Sequence, residues 1–153
     1  MPHAALFQEQ SVILDLSGED PEGILGQLVD RMVASQDSLA ARRDEVLQAL
    51  IARESEGSTG SQGVGIPHVK LDDFDQVAVA IGVHQDGVDF AALDGEPVHV
   101  FIAVVRPAEQ QDEHLQMMRW IAGIAQHQDF VSFAKQAQDV QQVLDLLTEL
   151  APA

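Results

Sequence analysis

The sequence predicts an α/β protein in which helices cover a single β-sheet. Residues 77–83 and 98–105 are almost unbroken runs of apolar side chains, which is typical of central strands buried on both faces. Apolar residues at helical spacing occur on either side of these runs and indicate the helices that such strands need as cover. An apolar sheet enclosed by amphipathic helices is an α/β architecture.

The first half of the chain predicts one strand followed by two helices. Residues 11–16 form a short apolar run, which predicts the first strand. Asp20 is a favourable N-cap and Pro21 suits the first helical position, so a helix is expected next. Apolar residues at helical spacing predict a second helix, which starts near Ser38 and ends at Gly57.

A glycine-rich segment follows the second predicted helix. Residues 57–65 contain four glycines, a composition that neither a helix nor a long strand favours. We therefore expect a shaped loop with a short strand. Between the two central runs, Asp-Gly pairs at 86–87 and 94–95 indicate turns and leave a bridge or a brief edge strand at 88–90.

The chain after Pro107 predicts three helical stretches. Residues 130–137 and 140–150 are the second and third of them. The first has one apolar stripe, formed by Leu115, Met118, Ile121, Ala122 and Ala125.

Length and composition indicate one domain that folds without a metal or a disulfide. The 153 residues fit a single domain, residues 1–153, with an ordered core of about 11–150 and loose ends at 1–10 and 151–153. A chain of this size buries roughly 68 to 70% of the surface that its unfolded form exposes. The absence of cysteine excludes disulfides, cysteine nucleophiles and thiolate metal sites. No cofactor is expected.

The charge balance argues against nucleic-acid and membrane partners. Eight Lys and Arg residues against 25 Asp and Glu residues give a net charge of −17, which repels phosphate backbones and anionic head groups. A basic protein partner would be attracted, although an acidic surface more commonly serves solubility. There is no apolar run of about 18 residues and the start lacks a basic secretory region, so we expect a cytoplasmic protein.

His68 is the first candidate for chemistry. It follows a glycine-rich segment and Pro67, an arrangement that can present an imidazole to a large anionic partner. Free N–H groups in such a loop can also face phosphate oxygens. The alternative is a loop histidine that only caps a strand.

His114 and Arg53 are the second and third candidates. His114 shares a helical face with Met118 and Ile121 and should point inward, where it could donate a hydrogen bond to a phosphoryl oxygen or alter the titration of the first histidine. An interfacial histidine satisfied by water is the alternative. Arg53 lies in the last turn before the glycine loop, where a guanidinium binds either an anion or the terminal helix carbonyls.

Other polar residues are interpreted as structural. His84 and His99 lie at strand ends, and His3 and His127 are expected on the surface. A zinc site with His68, His114 and carboxylates stays open as an alternative, although the sequence lacks a closely spaced pair of ligands. The sequence has neither a Gly-Lys-Ser/Thr phosphate loop nor a Gly-x-Ser-x-Gly elbow.

Four segments in this order resemble the enzyme IIA domains of the bacterial sugar phosphotransferase system, of the fructose, mannitol and nitrogen-regulatory type. The resemblance covers residues from about 11 to 150. The segments are 53–55 (Arg-Glu-Ser), 63–68 (Gly-Val-Gly-Ile-Pro-His), 93–98 (Leu-Asp-Gly-Glu-Pro-Val) and 114–115 (His-Leu), before an apolar helix.

The resemblance implies a mixed sheet of about five strands flanked by helices, and a phosphoryl-carrier function. His68 would accept a phosphoryl group from a histidine phosphocarrier protein (HPr or a nitrogen-type homologue). His114 would be the assisting second histidine and Arg53 the nearby cation. The recipient would be an enzyme IIB, or phosphorylation would switch the binding of a regulatory protein. The chain carries no attached IIB, membrane or phosphocarrier domain, which favours the regulatory role.

Two positions depart from the family pattern. Val69 stands where a small residue, commonly Gly, follows the active histidine, and Gln62 replaces a frequent Asn in the glycine loop. A β-branched side chain beside the imidazole would narrow access to it. Val69 therefore keeps a third hypothesis open, a degenerate binding module that takes no phosphate.

Overall fold

The structure, a computed structural model, describes residues 3–109 and 111–150, and the expected loose ends at 1–2 and 151–153 lie outside this range. Five strands form one mixed sheet with helices on both faces, which confirms the α/β prediction. The strands are β1 (Val12–Ile13), β2 (Val64–Gly65), β3 (His68–Leu71), β4 (Ala78–Val88) and β5 (Val98–Pro107). The helices are α1 (Pro21–Ser35), α2 (Arg43–Glu56), α3 (Gln111–Ala125), α4 (Phe130–Gln136) and α5 (Val140–Glu149).

The sheet has an interrupted edge strand. Its order is β1-β4-β5-β2, with β3 also paired to β5, and β4–β5 is the antiparallel pair in an otherwise parallel sheet. β2 and β3 lie one after the other along the same side of β5, separated by Ile66 and Pro67. Proline has no N–H to donate, so an edge position suits it, and its carbonyl accepts a hydrogen bond from Val104 N at 2.9 Å. The interruption places His68 at the start of β3.

The central strands are buried on both faces, as their apolar composition predicts. Side chains alternate along β5, so Phe101, Ala103 and Val105 pack with α1 and α2 in one hydrophobic core, the α1–α2 core. Val100, Ile102 and Val104 pack against α3, α4 and α5 in the second, the α3–α5 core. Each face is therefore covered by its own group of helices.

Two expectations for the first half of the chain are corrected. The predicted strand at 11–16 contains only β1, because Leu16 instead packs over β4, where a Cβ on Gly82 would lie 2.5 Å from its Cδ1 atom. α2 begins at Arg43 and not near Ser38, because Asp37–Arg42 forms a 3-10 helix. The start of α1 at Pro21 after the Asp20 cap and the end of α2 before Gly57 are confirmed.

Residues 3–10 are part of the fold and not a loose end. His3–Leu6 and Glu9–Ser11 form short 3-10 helices, and Phe7 between them is buried in the α3–α5 core. Its ring centroid lies 6.2 Å from that of Trp120. One buried aromatic residue is too weak a periodic signal for this segment to be recognised in the sequence.

The second half of the chain differs from the sequence-based predictions in two places. β4 continues to Val88, which pairs with Val98 after an irregular register, so 88–90 is not a separate strand. Gly87, with φ of +82°, accommodates the irregularity. The buried face of α3 contains His114, Met117, Ile121 and Ile124, whereas Leu115 is 51% exposed, so its assignment to the apolar stripe is wrong.

The short strand expected in the glycine loop is confirmed as β2, and β3 was not predicted. In residues 3–109 and 111–150, no helix combines the length and the apolar character that crossing a membrane requires.

Candidate functional site

A hydrogen-bond network ties the glycine loop to the end of α2. Both carboxylate oxygens of Glu54 accept from Thr59, one from its N–H at 3.1 Å and one from its hydroxyl at 2.6 Å. The same hydroxyl accepts from Ile66 N at 3.0 Å. A threonine at this position therefore connects the helix end to the residue two before His68.

A tight turn closes the loop. Gln62 and Gly63 have φ of 57° and 82°, in the left-handed region where glycine and asparagine are favoured over glutamine. This conformation is a physical reason for asparagine in place of Gln62. Asp94 accepts from Gln62 N at 2.8 Å and from Glu96 N at 3.1 Å, and these N–H groups, Gln62 first, hold the pKa of Asp94 below its ordinary value.

His68 is half-buried, and one ring nitrogen is held by the main chain. Its Nδ1 lies 2.6 Å from the carbonyl oxygen of Ile66. A carbonyl only accepts hydrogen bonds, so Nδ1 carries the hydrogen and the neutral ring has its lone pair on Nε2. The arrangement selects the tautomer of the neutral imidazole in which Nε2 is available as a nucleophile.

Val69 does not lie beside the imidazole. Successive side chains of a strand point to opposite faces, and Val69 packs against the α1–α2 core, as does Leu71 two residues on. His68 pairs in register with Val104, whose side chain lies in the α3–α5 core. The branched side chain is thus on the other side of the sheet, and the expected narrowing of access is wrong.

His114 points inward, as expected, from the first turns of α3. It is 5% exposed, and its Nδ1 is a buried atom with no hydrogen-bond partner in the part of the chain that the structure describes. Burial lowers the pKa of His114, and the charge of Arg106 lowers it further, while the charge of Glu113 and the main chain at Glu109 oppose the shift. His114 is therefore poised to stay neutral.

Arg106 is a residue of this site that the sequence analysis missed. It pairs in register with Lys70, two residues beyond the His68–Val104 pair. Side chains two residues apart in a strand point to the same face, so Arg106 and His68 both lie on the α3 face of the sheet. Its Nε and Nη1 atoms are buried and lack a hydrogen-bond partner among the described residues. The available signal was a charged residue at the end of an otherwise uncharged strand, β5.

Arg53 binds the end of its own helix. Its Nη1 donates to the carbonyl oxygen of Gly57 at 2.9 Å, which is the helix-terminus alternative of the sequence analysis. Within residues 3–109 and 111–150, no hydrogen bond joins Arg53 to His68 or His114. Its role towards an anion stays a prediction.

The remaining histidines of the sheet bind the main chain, as structural residues do. His84 is buried, its Nε2 lies 2.7 Å from the carbonyl oxygen of Gly18, and its Nδ1 accepts from Gly87 N at 3.0 Å. The Nδ1 of His99 lies 3.1 Å from the carbonyl oxygen of His84. No group of three or more metal-binding side chains occurs in the described ranges, which leaves the zinc alternative without a ligand set there.

The sequence is similar both to a fructose-specific component of the phosphotransferase system and to a nitrogen regulatory protein. It is 33% identical over 140 residues to a fructose-specific EIIA component of the phosphotransferase system from Haloferax volcanii, covering 88% of this chain and 90% of that protein. It is 27% identical over 140 residues to a nitrogen regulatory protein of Pseudomonas aeruginosa, covering 90% of this chain and 89% of that protein.

A solved structure and the sequence model of a family also match this chain. The crystal structure of the nitrogen regulatory protein IIA-Ntr from Neisseria meningitidis superposes with a TM-score of 0.86 at 23% identity, covering 94% of this chain and 97% of that one. The sequence model of one family, described as the phosphoenolpyruvate-dependent sugar phosphotransferase system, EIIA 2, matches residues 5–150. The chain therefore belongs to the EIIA 2 family of the phosphoenolpyruvate-dependent sugar phosphotransferase system.

Proposed function

We propose that this protein is a phosphoryl carrier that accepts a phosphoryl group on Nε2 of His68 from a histidine phosphocarrier protein. The hydrogen bond from His68 Nδ1 to the carbonyl of Ile66 carries the proposal, because it leaves the lone pair of the neutral ring on Nε2, the nitrogen that the main chain does not hold. In this tautomer the attacking nitrogen carries no hydrogen, so no separate base is required.

The proposed transfer moves the phosphoryl group from the donor histidine to His68 without a net movement of protons between the two imidazole rings. The Nε2 lone pair of His68 forms the new N–P bond while the N–P bond of the donor phosphohistidine breaks. The bonding pair returns to the donor nitrogen, and each ring keeps the hydrogen on its other nitrogen. Catalysis then depends on position and on donors for the phosphoryl oxygens, which is what this class of reaction asks of a protein.

His114 is proposed as one of those donors. Its buried imidazole is close enough to Arg106 for the charge of Arg106 to lower its pKa. Its Nδ1 has no partner among the described residues, and α3, which carries it, covers the face of the sheet on which His68 lies. Its removal should slow phosphorylation and leave the acceptor in place.

The recipient is proposed to be an enzyme IIB, with a regulatory role as the second candidate. The 33% identity to a fructose-specific component favours the relay, and the similarity to a nitrogen regulatory protein supports the alternative. Both roles use the same phosphohistidine, and both keep the expected cytoplasmic location. The position of Val69 in the α1–α2 core removes the observation that supported a phosphate-free binding module.

The first prediction tests the acceptor. Incubation with phosphoenolpyruvate, enzyme I and a histidine phosphocarrier should add one phosphoryl group to the wild-type protein and none to His68→Ala, as measured by intact mass. His114→Gln should label more slowly, to the same final extent. His127→Ala, which removes a histidine whose Nδ1 accepts from Asp129 N, is the matched control and should label at the wild-type rate.

Two outcomes would contradict the proposal. Continued labelling of His68→Ala would place the phosphoryl group on another residue. A wild-type protein that binds the phosphocarrier but never gains mass would identify the chain as a binding module.

A further inference from the structure

We propose that Arg106 binds the phosphoryl group on His68, with the buried Nε and Nη1 atoms as its hydrogen-bond donors. The inference rests on the proposed function of His68 and adds to it a residue that the sequence did not indicate. Three observations support it: the strand register, the unpartnered donors and the state of His114.

The register brings Arg106 within reach of the acceptor ring. His68 pairs with Val104 and Lys70 pairs with Arg106 in the parallel β3–β5 ladder. Strands about 4.8 Å apart, with a rise of about 6.6 Å over two residues, separate the backbones at His68 and Arg106 by about 8 Å. Both side chains lie on the α3 face, and the long arginine side chain is able to span such a gap.

Two guanidinium nitrogen atoms of Arg106 are buried donors without an acceptor among the described residues. Burying a charged donor without a hydrogen bond is costly, so proteins normally pair such groups. Arg31 donates to the carbonyl of Val12, Arg42 and Arg43 form ion pairs, and Arg53 donates to the carbonyl of Gly57. Arg106 differs from these four, because two of its buried nitrogen atoms have no partner in the described residues.

The neighbouring His114 also has a buried nitrogen atom without a hydrogen-bond partner among the described residues. Its buried Nδ1 is also unpartnered, and the positive charge of Arg106 lowers its pKa. The charge of Arg106 disfavours a proton on His114, whereas a dianionic phosphoryl group beside both side chains would favour it and would accept hydrogen bonds from each. An arginine held only for structure would be expected to have its own acceptor.

The test compares four variants in the phosphorylation assay. Arg106→Met removes the charge and keeps an apolar stem, and Arg106→Lys keeps the charge. Arg53→Gln tests the cation implied by the family resemblance, and Arg119→Gln changes an exposed arginine on α3. We expect Arg106→Met to label His68 at least tenfold more slowly and to hydrolyse its phosphohistidine at a different rate, Arg106→Lys to be intermediate, and Arg119→Gln to be unchanged.

A stability measurement separates this role from a structural one. Removing a buried charge that lacks a partner should raise the unfolding midpoint of Arg106→Met, whereas loss of a structural arginine would lower it. We expect Arg106→Met to unfold at a higher midpoint than the wild type and to be phosphorylated more slowly. Labelling of Arg106→Met at the wild-type rate, or loss of its folded structure, would overturn the assignment.

A second experiment, an NMR titration with inorganic phosphate, does not depend on phosphoryl transfer. Inorganic phosphate, compared with chloride at equal ionic strength, should shift the Nε–H resonance of Arg106 and raise the pKa of His114 measured by NMR. Arg106→Met should abolish the effect on His114. Phosphate shifts in a wild-type protein that fails to label would refute His68 as acceptor and retain Arg106 as an anion-binding residue, and an absence of shifts would overturn the inference itself.

Discussion

At the residue scale, the site depends on which nitrogen of each histidine is occupied. The carbonyl of Ile66 holds Nδ1 of His68, and this hydrogen bond decides where a phosphoryl group would attach. In His114 the Nδ1 atom is buried without a partner among the described residues. The ring of His68 is thus oriented by the main chain, and the surroundings of His114 lower its pKa and favour its neutral form.

The state of His114 predicts a pH dependence of stability. Its folded pKa lies below the ordinary value of 6.5, so below about pH 6.5 the unfolded chain binds a proton that the folded chain resists. The contribution of His114 to stability is therefore complete above pH 6.5 and is lost as the pH falls below it. Urea unfolding at pH 7.5 and 5.5 should show a smaller loss of stability for His114→Gln than for the wild type.

An equal loss in the two proteins would show that His114 titrates alike in the folded and unfolded chains. His127→Ala is the control, and it should keep the pH dependence of the wild type.

At the element scale, the glycine loop is shaped by a few side chains of α2 and of the loop itself. Thr59 connects the carboxylate of Glu54 to the N–H of Ile66, which lies immediately before Pro67 and His68. Gln62 and Gly63 turn the chain through positive φ values. His68, the proposed acceptor, therefore follows a segment that side-chain hydrogen bonds hold in place, as a positioned nucleophile requires.

Thr59→Val should loosen this segment while keeping the side-chain shape. The substitution removes the hydroxyl that donates to Glu54 and accepts from Ile66, and the unpaired groups should cost about 1–3 kcal/mol in the free energy of unfolding. His68 should also be phosphorylated more slowly. Denaturant unfolding and the labelling rate measure the two effects.

Ser55→Ala is the matched control for Thr59→Val. Its hydroxyl donates to Ala52 O within the same helix end, at an exposed position, so both stability and rate should change little. If Thr59→Val behaves like Ser55→Ala, the network has no part in positioning the acceptor.

At the scale of the whole molecule, the net charge of −17 is expected to affect both the stability of the fold and its attraction to basic partners. Like charges distributed over one small fold repel each other, and salt screens that repulsion over a Debye length of about 10 Å at 0.1 M. The same field attracts a basic protein surface from a distance.

Added NaCl should therefore raise the thermal unfolding midpoint and slow association with a basic phosphocarrier. The two trends come from one cause, so they should appear over the same range of ionic strength, and KCl should act as NaCl does. Calorimetry and stopped-flow association measure them. An association rate that is independent of salt would exclude electrostatic steering.

Much of the fold was readable from local patterns. The runs at 77–83 and 98–105 lie in β4 and β5, and Asp20-Pro21 marks the start of α1, because burial and capping depend on residues close in sequence. The exposure of Leu115 was misjudged because a buried histidine, His114, occupies a core position of α3 that an apolar residue would normally mark.

The sequence by itself determined the α/β class, the family and the identity of the candidate acceptor, since these depend on periodicity and on short motifs. Only the tertiary structure decided that Val69 faces away from His68 and that Arg106 shares its face. Both facts follow from the register of β3 on β5, which joins residues some 36 positions apart (68 to 104). Such a register is set by packing across the whole sheet and leaves no local signal in either strand.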